Sequence, residues 1–244
     1  MTTRLAMLTP SSNTVVEPWC ARMVAAFEDM SVHFGRVEVL WIDDGEESLA
    51  QFQDGPMLDA CKLLSHAQPA VIGWNGTAAS WLGLDRDRAL VDAVQRATGR
   101  PAVTSTLSIL EALQGLGLSR IGLVTPYVTE IQNRVIANLN GEGLDCVAER
   151  HFGISDNFTF GTVPEARIAQ AAKEVIAEGA EAVVILCTNL AGAGIANSVE
   201  EETGVPVLDS VMLTVWGCLR LAGHGTDRLA PWGFKVARLP NPRG

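Results

Sequence analysis

The chain is written twice. RLAMLTP at residues 4–10 returns as RIGLVTP at 120–126, an offset of 116. PAVIGWNGTAAS (69–80) returns as EAVVILCTNLAG (181–192) at an offset of 112, and TGRPAVTSTLSILEAL (98–113) as TGVPVLDSVMLTVWGCL (203–219) at 105. One short apolar match arises by chance. Three in the same order, with slowly drifting offsets, require two copies of one unit joined by different loops.

Each matched segment reads as a short, continuously apolar strand followed by a helical pattern, the signature of a parallel sheet buried on both faces. Helices are predicted over 57–67 (Leu58, Cys61 and Leu64 on one face), 85–98 (Leu90, Val94, Ala97) and 164–178 (Ile168, Ala171, Ala172, Val175, Ile176). The last opens on Pro164 and stops before Gly179, as helices do. The expected fold is therefore α/β, with two pseudo-symmetric lobes. Residues 1–98 together with 215–244 are expected to form the first and 99–214 the second.

Ligands of open parallel sheets bind where the strands end at their carboxyl side. The polar residues at those ends are Pro10-Ser11-Ser12-Asn13, Asn75-Gly76-Thr77, Thr104-Ser105, Thr125-Pro126-Tyr127, Cys187-Thr188-Asn189 and Asp209-Ser210. Two lobes with facing strand ends would gather all six sets into one cleft suited to a small polar ligand.

Several functions are excluded by what the chain lacks. A net charge of −10 without a Lys/Arg cluster argues against nucleic acid and anionic membranes. Cys20, Cys61, Cys146, Cys187 and Cys218 are too far apart for a zinc site or redox pair. His33, His66, His151 and His224 are isolated, so neither a metal nor a Ser-His-Asp triad is expected. GLGLSR (115–120) and GAGIAN (192–197) lack the third glycine of a dinucleotide fingerprint, and there is no P-loop. Thr9-Pro10 interrupts the first apolar stretch too early for a signal peptide, and no run approaches a membrane span. A reduced, cytoplasmic, cofactor-free protein acting on a small mono- or dicarboxylate is expected, and a homo-oligomer is compatible with these features. DDGEES (43–48) reads as a solvated loop. Trp41, Trp74 and Trp81 lie near strand ends, where any of them could wall an apolar pocket.

Cys61 and Cys218 sit on apolar helical faces and read as core. Only Cys187 closes a strand and is followed by a hydroxyl, an amide and a helix. A thiol at a helix start feels the helix dipole and free N–H groups, which favour the thiolate. It can transfer a proton or attack. Thr77, Ser105, Tyr127 and Thr188 could hold a carboxylate or a developing enediolate. The chemistry expected is proton transfer or bond cleavage next to a carboxylate.

TPSSNTVVEP (9–18), NGTAAS (75–80), VTPYVTEIQNRV (124–135), FGISDN (152–157), LCTNL (186–190) and TGVPVLDSVMLTVWGCLRLAG (203–223) together resemble the aspartate/glutamate racemase superfamily. The branch resembled is that of arylmalonate decarboxylases and maleate cis-trans isomerases, with the EutA-like ectoine-utilisation proteins nearby. The resemblance covers nearly the whole chain. It implies two Rossmann-like lobes with parallel sheets and an active site in the inter-lobe cleft. In the two-base racemases each lobe contributes one cysteine, on opposite sides of the substrate.

Here Cys187 is the second-lobe cysteine, and the first-lobe position falls in Asn75-Gly76-Thr77, where there is none. The internal repeat sets Asn75 opposite Cys187, whereas similarity to the decarboxylases selects Gly76. A missing thiol excludes racemisation by two thiols and removes the first-lobe nucleophile implied for the isomerases. Decarboxylation needs one proton donor. The resemblance then implies Cys187 as that donor, opposite Gly76. Thr77, Tyr127 and the N–H groups of Ala78 and Thr188 would stabilise an enediolate. Pro10, Asn13 and Asn157 would help seat a carboxylate, and Trp41 or Trp81 would line a substituent pocket. The alternatives are an isomerase or racemase pairing Cys187 with a non-cysteine group, an EutA-like role, and a two-lobed solute-binding module.

Overall fold

In the computed structural model, which describes residues 2–241, both copies fold as the repeat predicts. The first contains β1 (Thr3–Pro10), α1 (Val16–Val24), β2 (Met30–Val37), α2 (Glu46–Ala50), α3 (Asp54–Ser65), β3 (Val71–Trp74), α4 (Ala79–Leu82), α5 (Asp85–Thr98), β4 (Ala102–Thr104) and α6 (Ser105–Leu116). The second contains β5 (Arg120–Thr125), α7 (Thr129–Gly141), β6 (Asp145–His151), α8 (Asn157–Phe160), α9 (Glu165–Ala177), β7 (Ala182–Ile185), α10 (Ala193–Thr203), β8 (Val207–Asp209) and α11 (Ser210–Leu221). A 3₁₀ turn (Asp227–Trp232) and α12 (Phe234–Ala237) follow.

The sheets have the orders β2-β1-β3-β4 and β6-β5-β7-β8, with every pair parallel. In each, the chain leaves the central pair in opposite directions, so a switch-point crevice opens at the ends of β1 and β3 and again at the ends of β5 and β7. Of the central strands, β3 (VIGW) and β7 (AVVI) are apolar throughout and fully buried.

The likeness extends to the punctuation. α5 and α10 both end at a left-handed glycine, Gly99 (φ 66°) and Gly204 (φ 72°), where a side chain would be strained. β4 and β8 both end on the cap of the next helix. Thr104 Oγ1 accepts from the Leu107 N–H, and Asp209 Oδ1 accepts from those of Val211 and Met212.

α11 leaves the second sheet and packs against α1, α6, β3 and β4 of the first. Its residues from Ser210 to Arg220 are all buried, which explains an apolar pattern without a polar face. Gly73 permits this approach, because a Cβ there would lie 2.8 Å from Cys218 Sγ. β4 lies beyond the division expected at 98/99, yet it pairs with β3, so the first sheet runs on to Thr104. The 3₁₀ turn, expected with the first lobe, packs on α10 of the second.

Candidate active site

Sheet register identifies the first-lobe residue equivalent to Cys187. Leu8 pairs with Trp74 in the first sheet and Val124 with Ile185 in the second. Trp74 also pairs with the capping Thr104, and Ile185 with the capping Asp209. The next ladder bonds agree: the Asn75 N–H donates to Leu8 O and the Leu186 N–H to Val124 O. Trp74 is thus equivalent to Ile185, Asn75 to Leu186, and Gly76 to Cys187. The internal sequence match, which set Asn75 against Cys187, is out by one residue.

Gly76 and Cys187 line one cavity between the lobes, together with Pro10, Val39, Ile42, Phe52, Trp74, Thr77, Ala78, Tyr127, Asn157, Phe160 and Thr188. About 20 Å³ of it is open to a water-sized sphere, room for one or two waters. No lining residue carries a formal charge, so an anion here would be held by hydroxyls and amide N–H groups. Of the five cysteines only Cys187 lines this cavity. Gly76 leaves no unfilled gap. A Cβ built on it would lie 2.2 Å from Cζ2 and 2.3 Å from Cε2 of the Trp74 indole.

Burial pushes the Cys187 thiol up to about 12, against the pull of the Asn189 and Leu190 N–H groups and the Tyr127 hydroxyl. The Asn189 N–H donates to Cys187 Sγ at 3.3 Å. The thiol is therefore protonated at neutral pH. The thiolate that the sequence reading favours is disfavoured here, because α10 starts only at Ala193 and desolvation outweighs the local N–H groups. The Tyr127 hydroxyl links the two lobes, sharing a 2.8 Å hydrogen bond with Thr77 Oγ1. Burial and the adjacent Cys187 raise its own pKa well above the usual tyrosine value.

A buried polar web fastens the cleft beside the thiol. Asn13 Nδ2 donates to Thr188 Oγ1 at 3.2 Å, and that hydroxyl donates to Asn75 O at 3.0 Å. Asn189 accepts from the Thr14 N–H at 3.0 Å and donates to Asn157 O. Asn157 Nδ2 donates to Ser12 Oγ at 2.7 Å, and Ser12 Oγ donates to Val39 O at 2.7 Å. Asn13 itself is spent on structure, since its Oδ1 caps α1 through the Val15 and Val16 N–H groups, and it does not line the cavity. Ser105 is likewise engaged beneath the site, with Trp74 O and Thr214.

The aromatic walls differ from those expected. Trp41 is 48% exposed and lies outside the cavity, because its segment bridges across to Asp156 of the second lobe. That strap is held by Ile42 N–H donating to Ser155 O and Asn157 N–H donating to Leu40 O, both at 2.9 Å. It contributes Val39, Ile42 and Phe52 to the cavity instead. DDGEES is not simply a solvated loop: α2 begins within it, and buried Ser48 donates to Trp41 O. Trp81 is buried one layer back, edge-on to Phe52 at 5.4 Å. Trp74 takes the wall position, and Phe160, edge-on to Tyr127 at 5.7 Å, closes the far end.

Residues 48–231 match the family model described as arylmalonate decarboxylase. The chain belongs to the arylmalonate decarboxylase family. It is 28% identical over 180 residues to the arylmalonate decarboxylase of Bordetella bronchiseptica, spanning 72% of this chain and 75% of that protein. It is 26% identical over 225 residues to the maleate isomerase of Nocardia farcinica, spanning 89% of each. In shape it is similar to a cysteine-to-serine variant of the N. farcinica maleate cis-trans isomerase solved with a covalently bound succinylcysteine intermediate. That likeness has a TM-score of 0.88 at 22% identity and covers 98% of this chain and 99% of the other. The relatives are thus enzymes of two reaction classes on one fold. Among the described residues no helix is long and apolar enough to cross a membrane. Nor do three or more His, Cys, Asp or Glu side chains group as a metal site.

Proposed function

We propose that the protein is a cofactor-independent decarboxylase of substituted malonates, with Cys187 as its single proton donor. The observation that carries this reading is the asymmetry of the cleft: one protonated thiol on the second-lobe side, and a glycine backed by an indole on the first. An acid on one face suffices for decarboxylation, whereas two-thiol racemisation needs acid and base on both faces.

In the reaction, the bond from the central carbon to one carboxylate breaks heterolytically and CO₂ leaves. The electron pair stays on carbon and spreads into the remaining carboxylate as an enediolate. Thr77, Tyr127 and the N–H groups of Ala78 and Thr188 stabilise that charge as it develops. Cys187 Sγ–H then protonates carbon, and the thiolate recovers a proton from solvent. Burial supports this order of events, since a thiol held near 12 remains loaded at neutral pH. Pro10 and Asn157 flank the remaining carboxylate, and Asn13 positions Thr188.

A second reading, maleate cis-trans isomerisation, is favoured by the isomerase relative that matches 89% of the chain. It would require Cys187 to add to the double bond, a step that needs the thiolate.

The test is CO₂ release from malonates bearing methyl, ethyl or phenyl substituents, by wild type and by Cys187→Ala. Loss of the acid should lower the rate by about 10²–10⁴-fold with the fold intact. A wild type that releases no CO₂, or a variant that keeps full rate, would sink the proposal.

A further inference from the structure

β3 ends on Trp74 where β7 ends on Ile185, so the lobes place an indole and a small aliphatic group at equivalent strand ends. The indole lies within 2.6 Å of where a Gly76 Cβ would stand. It also borders three separate voids. The first is the site cavity. The second is lined by Phe52, Met57 and Arg86 among others, and the third by Cys61, Leu90 and Val94 under the first sheet. Trp74 is the one residue common to all three.

We infer that Trp74 determines specificity by limiting the group on the reacting carbon to methyl or ethyl size. The inference rests on the malonate reading of the site. Lifting the 38–53 strap would enlarge the cavity on the side of Val39, Ile42 and Phe52. It adds nothing beneath Gly76, where the Trp74 main chain is fixed by its ladder partners and by Ser105 Oγ donating to its carbonyl at 3.2 Å, and the indole it carries is buried. A phenyl substituent turned away from Cys187 would need the volume that the indole already fills, and such overlap rejects a ligand more sharply than lost contacts do. The same ring keeps that face free of any proton-transferring group. Shortening Trp74 to leucine would join the site cavity to the voids behind it and admit an aromatic ring.

The experiment is calorimetric titration of methylmalonate and phenylmalonate into proteins that all carry Cys187→Ala to prevent turnover (one otherwise wild type, one with Trp74→Leu and one with Trp74→Phe), with circular dichroism as the check on folding. The protein with Trp74 intact should bind methylmalonate more tightly by about tenfold or more, the scale on which a pocket rejects excess bulk. Trp74→Leu should reverse the preference, and Trp74→Phe should fall between. If Trp74→Leu does not fold, the shift in Trp74→Phe decides. Equal binding of both ligands by the protein with Trp74 intact, binding of neither, or a ratio unchanged in the folded variants would overturn the inference. The reaction is scored separately: this binding pattern without CO₂ release by wild type would defeat the decarboxylase reading and leave the role of Trp74 standing.

Discussion

The proton on Cys187 is kept by burial, while its aim is set by neighbours. The Tyr127 hydroxyl reaches both the thiol and Thr77, so one group touches the acid and the proposed anion pocket together. Tyr127→Phe leaves the ring on Phe160 but deprives Thr77 of its partner. We expect kcat to fall by about 10²-fold, in line with removal of one anion-stabilising donor, with a smaller change in KM. Steady-state kinetics on the best malonate substrate checks this, and an unchanged kcat would remove Tyr127 from the chemistry. At this scale the sequence was only partly legible. Cys187, Thr77, Tyr127 and Thr188 stand where the strand ends predict. Asn75 could not be told from Gly76, because a repeat match carries no ladder register and a slip of one residue turns a side chain to the other face. The sequence points to Trp41 or Trp81 rather than Trp74, because the indole's fold over a glycine and the strap's path to Asp156 are tertiary facts with no local periodicity.

The elements closing the two sheets carry a pH dependence. Asp209 caps α11 from a fully buried position, and burial pushes its carboxyl up to about 7 against the Met212 and Val211 N–H groups. Asp87, buried beside the equivalent cap and accepting from Thr104 Oγ1 at 2.5 Å, is pushed up to about 6. Both acids bind their proton more tightly folded than unfolded. Their contribution to stability is therefore complete below the ordinary aspartate range and is lost as pH rises through about 6 to 7. Tm should fall between about pH 5 and about pH 8, and Asp209→Asn, which keeps the capping oxygen, should flatten that slope. Thermal melts across the range check it, and a variant with the wild-type slope would contradict it. The long elements were legible: α5 spans Asp85–Thr98 as predicted, and α9 falls within one residue of prediction at each end. α2, α4, α8 and α12, with four or five residues each, have no room to show a period. α2 and α8 belong to the segments that meet across the cleft.

Across the whole molecule, duplication explains both the cleft and its imbalance. Two sheets of the same order turn their switch points toward one cavity, and α11 crosses from the second sheet to the core of the first. The repeat made the two lobes readable without a structure. α11 is buried on every side, so its own pattern carries no sign of which sheet it covers. Of the two equivalent strand-end positions only Cys187 carries a thiol, and the space beside Gly76 is occupied by the Trp74 indole. The most direct measurement is NMR of wild type in D₂O with 2-ethyl-2-methylmalonate and maleate supplied together. The account predicts loss of CO₂ from the malonate, one deuterium at the new C–H position of 2-methylbutanoate in a single enantiomer, and no fumarate. Conversion of maleate to fumarate with the malonate untouched, or a racemic product, would contradict it.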